Sequence, residues 1–390
     1  MADKVREVID EFGRPAEFRE GLEGVVAALS MISSIDGENG ILLYRGVRIE
    51  ELAANSMFEE TTYFLLYGRL PKRQELADFE NKLKSRREVP PAVLDLIHKF
   101  PPTANAMDLL RTTISALGLY DSDPKNNSIE KNVDRAIDLV AAFPTIVAAI
   151  QRRRSGKEFV APRADLSHAA NFLYMVNGEA PSREVAKVLD VALILHADHG
   201  FNASTFTSRV VISSMSDMYS AITAAVGSLK GPLHGGANSE VMSTLLSIGS
   251  IDKVESYVME RLAKKEKVMG FGHRVYHTYD PRARILGQYS QQLAQQTGNT
   301  KWFEMSKKVE EIMVREVGEK GIYPNVDFYS ATVYYYMGLD QDLFTPIFAV
   351  SRISGWTAHV IEQLQNNRLF RPRAIYPGAK NVPYTPIDQR

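Results

Sequence analysis

Val185-Ala186-Lys187-Val188-Leu189-Asp190-Val191-Ala192-Leu193-Ile194-Leu195-His196-Ala197-Asp198-His199-Gly200 carries the pattern that decides the fold class. Val185, Val188, Leu189, Ala192, His196 and His199 recur at steps of three or four, the spacing of one helix face. Gly200 supplies a stop. Outward from this stretch most segments show the same period, without repeats or low-complexity tracts. The exception is 32–49, where Asp36-Gly37 and Glu38-Asn39-Gly40 offer turns between β-branched and aromatic residues. A small hairpin in an all-α protein is the expectation. A further helix, at about 217–229, holds Ala221, Ala224, Ala225 and Gly227, small side chains that suit close helix packing.

With 390 residues the chain exceeds the size at which one core keeps growing, so two domains are expected. Gly231-Pro232 and the stretch Gly321-Ile322-Tyr323-Pro324-Asn325 punctuate it. The segment between them reads as a second domain inserted into the first. A net charge of −1 gives no global reason to expect nucleic acid. The absence of cysteine excludes disulfides, thiolate metal sites and a Cys nucleophile. The N-terminus lacks the apolar core of a signal peptide. The longest apolar run, 139–150, is short for a membrane span and contains Pro144, so a buried helix is expected. These features point to a cytoplasmic protein, with no membrane partner.

Five local contexts hold residues suited to chemistry. His196 and His199 close the apolar face described above, where a polar group is costly unless it is paired or faces a cleft. Their spacing would also suit a metal, but no HExxH pattern or Cys accompanies it. A core hydrogen bond is the plainer reading for His196. In Gly231-Pro232-Leu233-His234-Gly235-Gly236-Ala237-Asn238, the glycines allow close backbone approach to a ligand. His234 there precedes a helix whose dipole disfavours imidazolium, leaving a neutral donor for an enolate oxygen. The His-Gly-Gly run also suits an esterase oxyanion loop, but no Gly-x-Ser-x-Gly elbow exists.

Gly270-Phe271-Gly272-His273-Arg274-Val275-Tyr276 leads into Asp280-Pro281-Arg282, read as N-cap, first helical residue and an arginine in the first turn. Seven Lys or Arg between 261 and 284, against Glu266 and Asp280, suit a phosphorylated ligand, although a solvated face explains Lys264 and Lys265 equally well. In Tyr323-Pro324-Asn325-Val326-Asp327, an acid among apolar neighbours would have a raised pKa and act as a base, or would simply cap a helix. Arg352, Arg368, Arg371 and Arg373 offer carboxylate contacts, with surface ion pairing as the alternative for Arg368 and Arg373.

The order of these motifs resembles the citrate synthase family, which includes 2-methylcitrate synthases. His-x-Asp-His, Gly-Pro-Leu-His-Gly-x-Ala-Asn, Gly-x-Gly-His-Arg-Val-Tyr with Asp-Pro-Arg, Pro-Asn-Val-Asp and Ser-Arg follow one another, and the likeness extends back over Gly21 to Arg48 into the family's N-terminal hairpin. Two departures are Asn105-Ala106-Met107, where relatives commonly carry His-Pro-Met, and His277, where many carry Lys or Arg. The resemblance implies an almost entirely α-helical fold. A large domain would hold 1–234 and 338–390 and a small one 235–337. It implies a homodimer whose small domains close over oxaloacetate and acyl-CoA, with no cofactor and no metal. It implies Asp327 as the base, His234 as the enolate's hydrogen-bond donor and His273 as the proton donor to oxaloacetate. His199, Arg282, Arg352 and Arg371 of the second subunit would hold oxaloacetate, with Asn202 beside them. Arg274 and Lys320 would meet the CoA phosphates. A non-catalytic CoA- or dicarboxylate-binding relative would lack His234, His273 or Asp327, and all three are present.

Overall fold

The computed structural model describes residues 5–9 and 13–390. Sixteen α-helices dominate the described residues, as the helical period predicts. The chain forms two compact units, 31–368 and a smaller one made of 1–30 with 369–390.

In the large unit the core is built on two long helices that pack against each other, Ile129–Arg154 and Phe344–Gln365. Every residue from Leu139 to Gln151 is buried, so this apolar run is a core helix. No described helix is long and apolar enough to cross a membrane. The small-residue segment becomes the Met218–Leu229 helix, capped by Asp217, whose side chain accepts from Ser220 N–H at 2.9 Å. Ala221 and Ala225 are buried where it packs against the Ala106–Leu117 and Ala203–Ser213 helices. Asn105 caps the first of these, accepting from Met107 N–H at 2.9 Å, so this departure from the family pattern has a local structural role.

The strands depart from expectation in two ways. The hairpin at 32–49 has three antiparallel strands, β3 (Ser33–Asp36), β4 (Ile41–Tyr44) and β5 (Val47–Arg48), with Asp36 opposite Ile41. A separate pair, β1 (Val5–Ile9) and β2 (Pro15–Arg19), lies in the smaller unit and precedes the Gly21–Arg48 likeness. The turn between β3 and β4 presses on the loop that follows His273. Gly37 accepts from the His277 N–H at 3.0 Å, and a Cβ on Gly37 would fall 1.9 Å from the Val275 carbonyl oxygen. Only glycine fits that approach.

The founding helix, Arg183–His196, stops four residues before Gly200. Tertiary bonds end it. Tyr44 Oη donates to Asp198 O at 2.8 Å and accepts from Asp198 N–H at 3.0 Å. Gly355 N–H donates to Ala197 O at 3.0 Å. The backbone groups that would continue the helix are thus taken by two other elements, and His199 swings into a turn.

Gly355 lies inside a long helix, where alanine would ordinarily gain about 1 kcal/mol of helix propensity. Here a Cβ would lie 2.4 Å from both Ala197 O and Asp198 Oδ1. Overpacking should win, so Gly355→Ala should cost about 1–3 kcal/mol and lower the melting temperature. A variant as stable as the parent would show that the 197–199 turn is not held by this contact.

Candidate active site

Six side chains from six elements share one region, His199, Arg282 and Arg352 buried and His234, His273 and Asp327 half-buried. His199 lies just past the Arg183–His196 helix, His234 precedes the Ala237–Ile248 helix, and His273 sits in a loop. Arg282 and Asp327 occupy the first turns of the Pro281–Thr297 and Val326–Tyr336 helices, and Arg352 lies midway along Phe344–Gln365. The rings of His199 and His273 are 5.1 Å apart, and His199 Nε2 is 3.2 Å from Tyr276 Oη. The charge of Arg282 reaches His199, His273 and Asp327, and that of Arg352 reaches His199, His234 and Asp327.

The loops carrying His273 and Asp327 are tied together. Phe271 bridges Pro324, Asn325 N–H donates to Gly270 O at 2.9 Å, and Asn325 Nδ2 donates to Gly272 O at 2.9 Å. Asn325 is also the cap of the Val326–Tyr336 helix, accepting from Asp327 N–H at 3.0 Å. Asp327 is therefore not the cap. Its Oδ1 is sealed from solvent with no hydrogen-bond partner. Burial raises its pKa to about 6, against the opposing pull of Arg282.

Both loop histidines are neutral and held in opposite tautomers. His273 Nδ1 faces the backbone N–H groups of Val275 at 3.0 Å and Tyr276 at 3.2 Å, so it must accept. The proton then sits on Nε2. His234 Nε2 faces the Ser204 N–H at 3.2 Å and Ser204 Oγ at 2.7 Å, so its proton sits on Nδ1. Burial lowers both pKa values to about 4, helped by Arg352 at His234 and Arg282 at His273. The neutrality of His234 therefore comes from burial and a guanidinium. His234 stands two residues before Gly236, the N-cap of the Ala237–Ile248 helix, near the helix N-terminus as expected.

The two arginines differ in how they are held. Arg282 is 2% exposed, and Asp280, the N-cap, grips its Nε at 3.0 Å and Nη2 at 2.7 Å. Val326 N–H also donates to Asp280 Oδ2 at 3.2 Å, linking this clamp to the Asp327 helix. Arg352 is 1% exposed, donates through Nε to His196 O at 2.7 Å and lies 4.6 Å over the Phe348 ring. Its Nη groups bond nothing in the described protein, so the Nη1/Nη2 edge remains for an anion. Burial lowers even this guanidinium's pKa to about 10.

The other predicted residues are placed differently. Asn202 caps the Ala203–Ser213 helix, accepting from Thr205 N–H at 3.0 Å, and its Oδ1 lies 2.8 Å from Ser204 Oγ, so it shares with His234 Nε2 the reach of that hydroxyl's one proton. Arg274 and Lys320 are exposed. Arg371 is exposed and belongs to the smaller unit. His277 is exposed, 3.7 Å from Glu38. His196 is fully buried with Nδ1 2.8 Å from Ala192 O, and no group of three or more ligating side chains suited to a metal occurs among the described residues. Ser204, Tyr276 and the double duty of Asp280 escaped sequence reading. Only Asp280 had a signal, its Asp-Pro cap pattern.

The family model for the citrate synthase C-terminal domain matches residues 21–373. Citrate synthase 2 of Bacillus subtilis is 50% identical, covering 95% of this chain and 98% of its own. The 2-methylcitrate synthase 1 of Corynebacterium glutamicum is 41% identical, covering 96% and 99%. A solved ternary complex of citrate synthase from Thermoplasma acidophilum with carboxymethyl coenzyme A and oxaloacetate superposes with a TM-score of 0.90 at 35% identity, covering 95% and 99%. On its helical fold and its full-length likeness to these proteins, the chain belongs to the citrate synthase family.

Proposed function

We propose that the chain condenses acetyl-CoA with oxaloacetate and water to give citrate and CoA. The observation that carries this reading is the Asp327 carboxyl, unpaired and raised towards neutrality, set among two buried guanidiniums and two neutral imidazoles of opposite tautomer. Asp327 takes a proton from the methyl carbon next to the thioester. His234 Nδ1–H hydrogen-bonds the enol or enolate oxygen that forms. The carbon then attacks the keto carbon of oxaloacetate, and His273 Nε2–H supplies the proton to the oxygen that becomes the citrate hydroxyl. Water cleaves the citryl thioester, releasing citrate and CoA.

Arg282, Arg352 and His199 hold oxaloacetate, whose two carboxylates match two guanidiniums. The ternary complex of the archaeal relative supports this choice of ligands. Arg274 and Lys320, exposed cations, suit the CoA phosphates. Residues 235–337 act as a small domain that closes on 1–234 and 338–390, excluding water until the carbon–carbon bond exists. The working unit is a homodimer in which Arg371 completes the partner's carboxylate site.

The reaction is tested by thiol release with oxaloacetate. Acetyl-CoA should give a higher kcat/KM than propionyl-CoA. One methylene is worth only about 1–3 kcal/mol in an apolar pocket, so a preference of roughly tenfold to a hundredfold is expected. A clear preference for propionyl-CoA would make the chain a 2-methylcitrate synthase. Asp327→Asn should lower kcat by about 10²–10⁴-fold with the helical circular dichroism unchanged.

The shared site is tested by complementation. Asp327→Asn and Arg371→Ala should each be nearly inactive as pure dimers. In a mixed dimer one site carries both defects and the other carries neither, so activity should reappear after subunit exchange. Mixed dimers seen by mass spectrometry without recovered activity would mean that Arg371 acts within its own chain or serves only structure.

A further inference from the structure

Three buried polar atoms behind the site lack partners: Asp327 Oδ1, His196 Nε2 and the Tyr334 hydroxyl. His196 and Tyr334 are both 0% exposed, and their rings lie 6.4 Å apart. Tyr334 stands two turns beyond Asp327 on one helix, and a helical side chain leans back towards the N-terminus. The Asp327 carboxylate acts on the Tyr334 hydroxyl electrostatically, and Asp280, Arg282 and Arg352 act on both Asp327 and His196. The three groups therefore belong to one buried neighbourhood.

Their hydrogen-bonding capacities are complementary in a specific way. His196 stays neutral because burial lowers its pKa to about 3. Its Nδ1 faces a carbonyl oxygen, Ala192 O, so Nδ1 carries the proton and Nε2 is an acceptor only. The ionised Asp327 Oδ1 is also an acceptor only. Tyr334 stays protonated and supplies one donor. Two acceptors and one donor match the bonding of a single water, which donates twice and accepts once. Buried waters characteristically make about three such bonds to groups that would otherwise be unsatisfied. Left unpaired, each of these buried atoms would lose the hydrogen bonds it makes with water when the chain is unfolded.

We propose that His196 and Tyr334 are positioning residues for Asp327, acting through one ordered water that accepts from the Tyr334 hydroxyl and donates to His196 Nε2 and Asp327 Oδ1. This rests on Asp327 being the base. The water fixes the rotamer of the carboxylate and leaves its second oxygen to face the substrate carbon. His196 is more than a core filler on this account, although it touches no substrate.

Tyr334→Phe removes only the hydroxyl from a fully buried ring. It should lower kcat about tenfold while KM for oxaloacetate stays unchanged. Because the water stabilises the ionised carboxylate, its loss should also move the acid limb of the kcat/KM profile upward from about 6. His196→Gln, which keeps an acceptor, should retain more turnover than His196→Leu. A wild-type kcat and an unmoved limb in Tyr334→Phe would overturn the relay, as would equal loss in the two His196 variants. Asp327→Asn separates the two claims. If that variant turns over normally, the base assignment fails. If it is dead while Tyr334→Phe is unaffected, the relay alone fails. In a high-resolution crystal structure of the parent, a water within hydrogen-bond reach of all three atoms supports the proposal, and direct contact among the side chains contradicts it.

Discussion

A guanidinium taken out of water must find an anion, and this site is organised around two of them. Arg282 is clamped by Asp280, whereas Arg352 meets only a carbonyl and an aromatic face at close range. Burial lowers the pKa of the histidines around them and the guanidinium charge adds to it, from Arg282 at His199 and His273 and from Arg352 at His199 and His234, while both arginines oppose the rise that burial imposes on Asp327. A dicarboxylate would supply the missing negative charge. Burial, with that same charge, keeps the imidazoles neutral and thus able to donate N–H groups rather than repel the arginines.

Orientation comes from backbone. His273 is fixed by two amide N–H groups of its own loop, and His234 by an amide at the start of a neighbouring helix. Amides cannot change protonation, so these tautomers are fixed over the working pH range. The 270–273 and 323–325 loops are stitched together, and the β3–β4 turn presses on the residues after His273. The proposed acid, base and binding groups are thereby referenced to one another through hydrogen bonds instead of long flexible side chains.

Much of this was legible in the sequence because local rules decide it. Helical periodicity placed the core, Asp280-Pro281 placed a cap and an arginine, and Asp36-Gly37 with Asn39-Gly40 placed a turn. The failures have tertiary causes. The Arg183–His196 helix ends early because Tyr44 and Gly355 compete for its backbone groups. The burial and the Arg352 charge that lower the pKa of His234 carry no local sequence pattern. Ser204 carries no motif, since its importance lies in facing a residue thirty positions away. The Asn325 cap frees Asp327 from the role that a sequence reading would most simply give it.

The central claim is that two neutral histidines present N–H groups from opposite ring nitrogens. Nitrogen-15 NMR of histidine-labelled protein measures this directly, with His234→Gln and His273→Gln spectra used for assignment. Down to about pH 5, His234 should show a protonated Nδ1 and a bare Nε2, and His273 the reverse, with both rings neutral. An imidazolium at either position near neutral pH, or the same tautomer at both, would contradict the account.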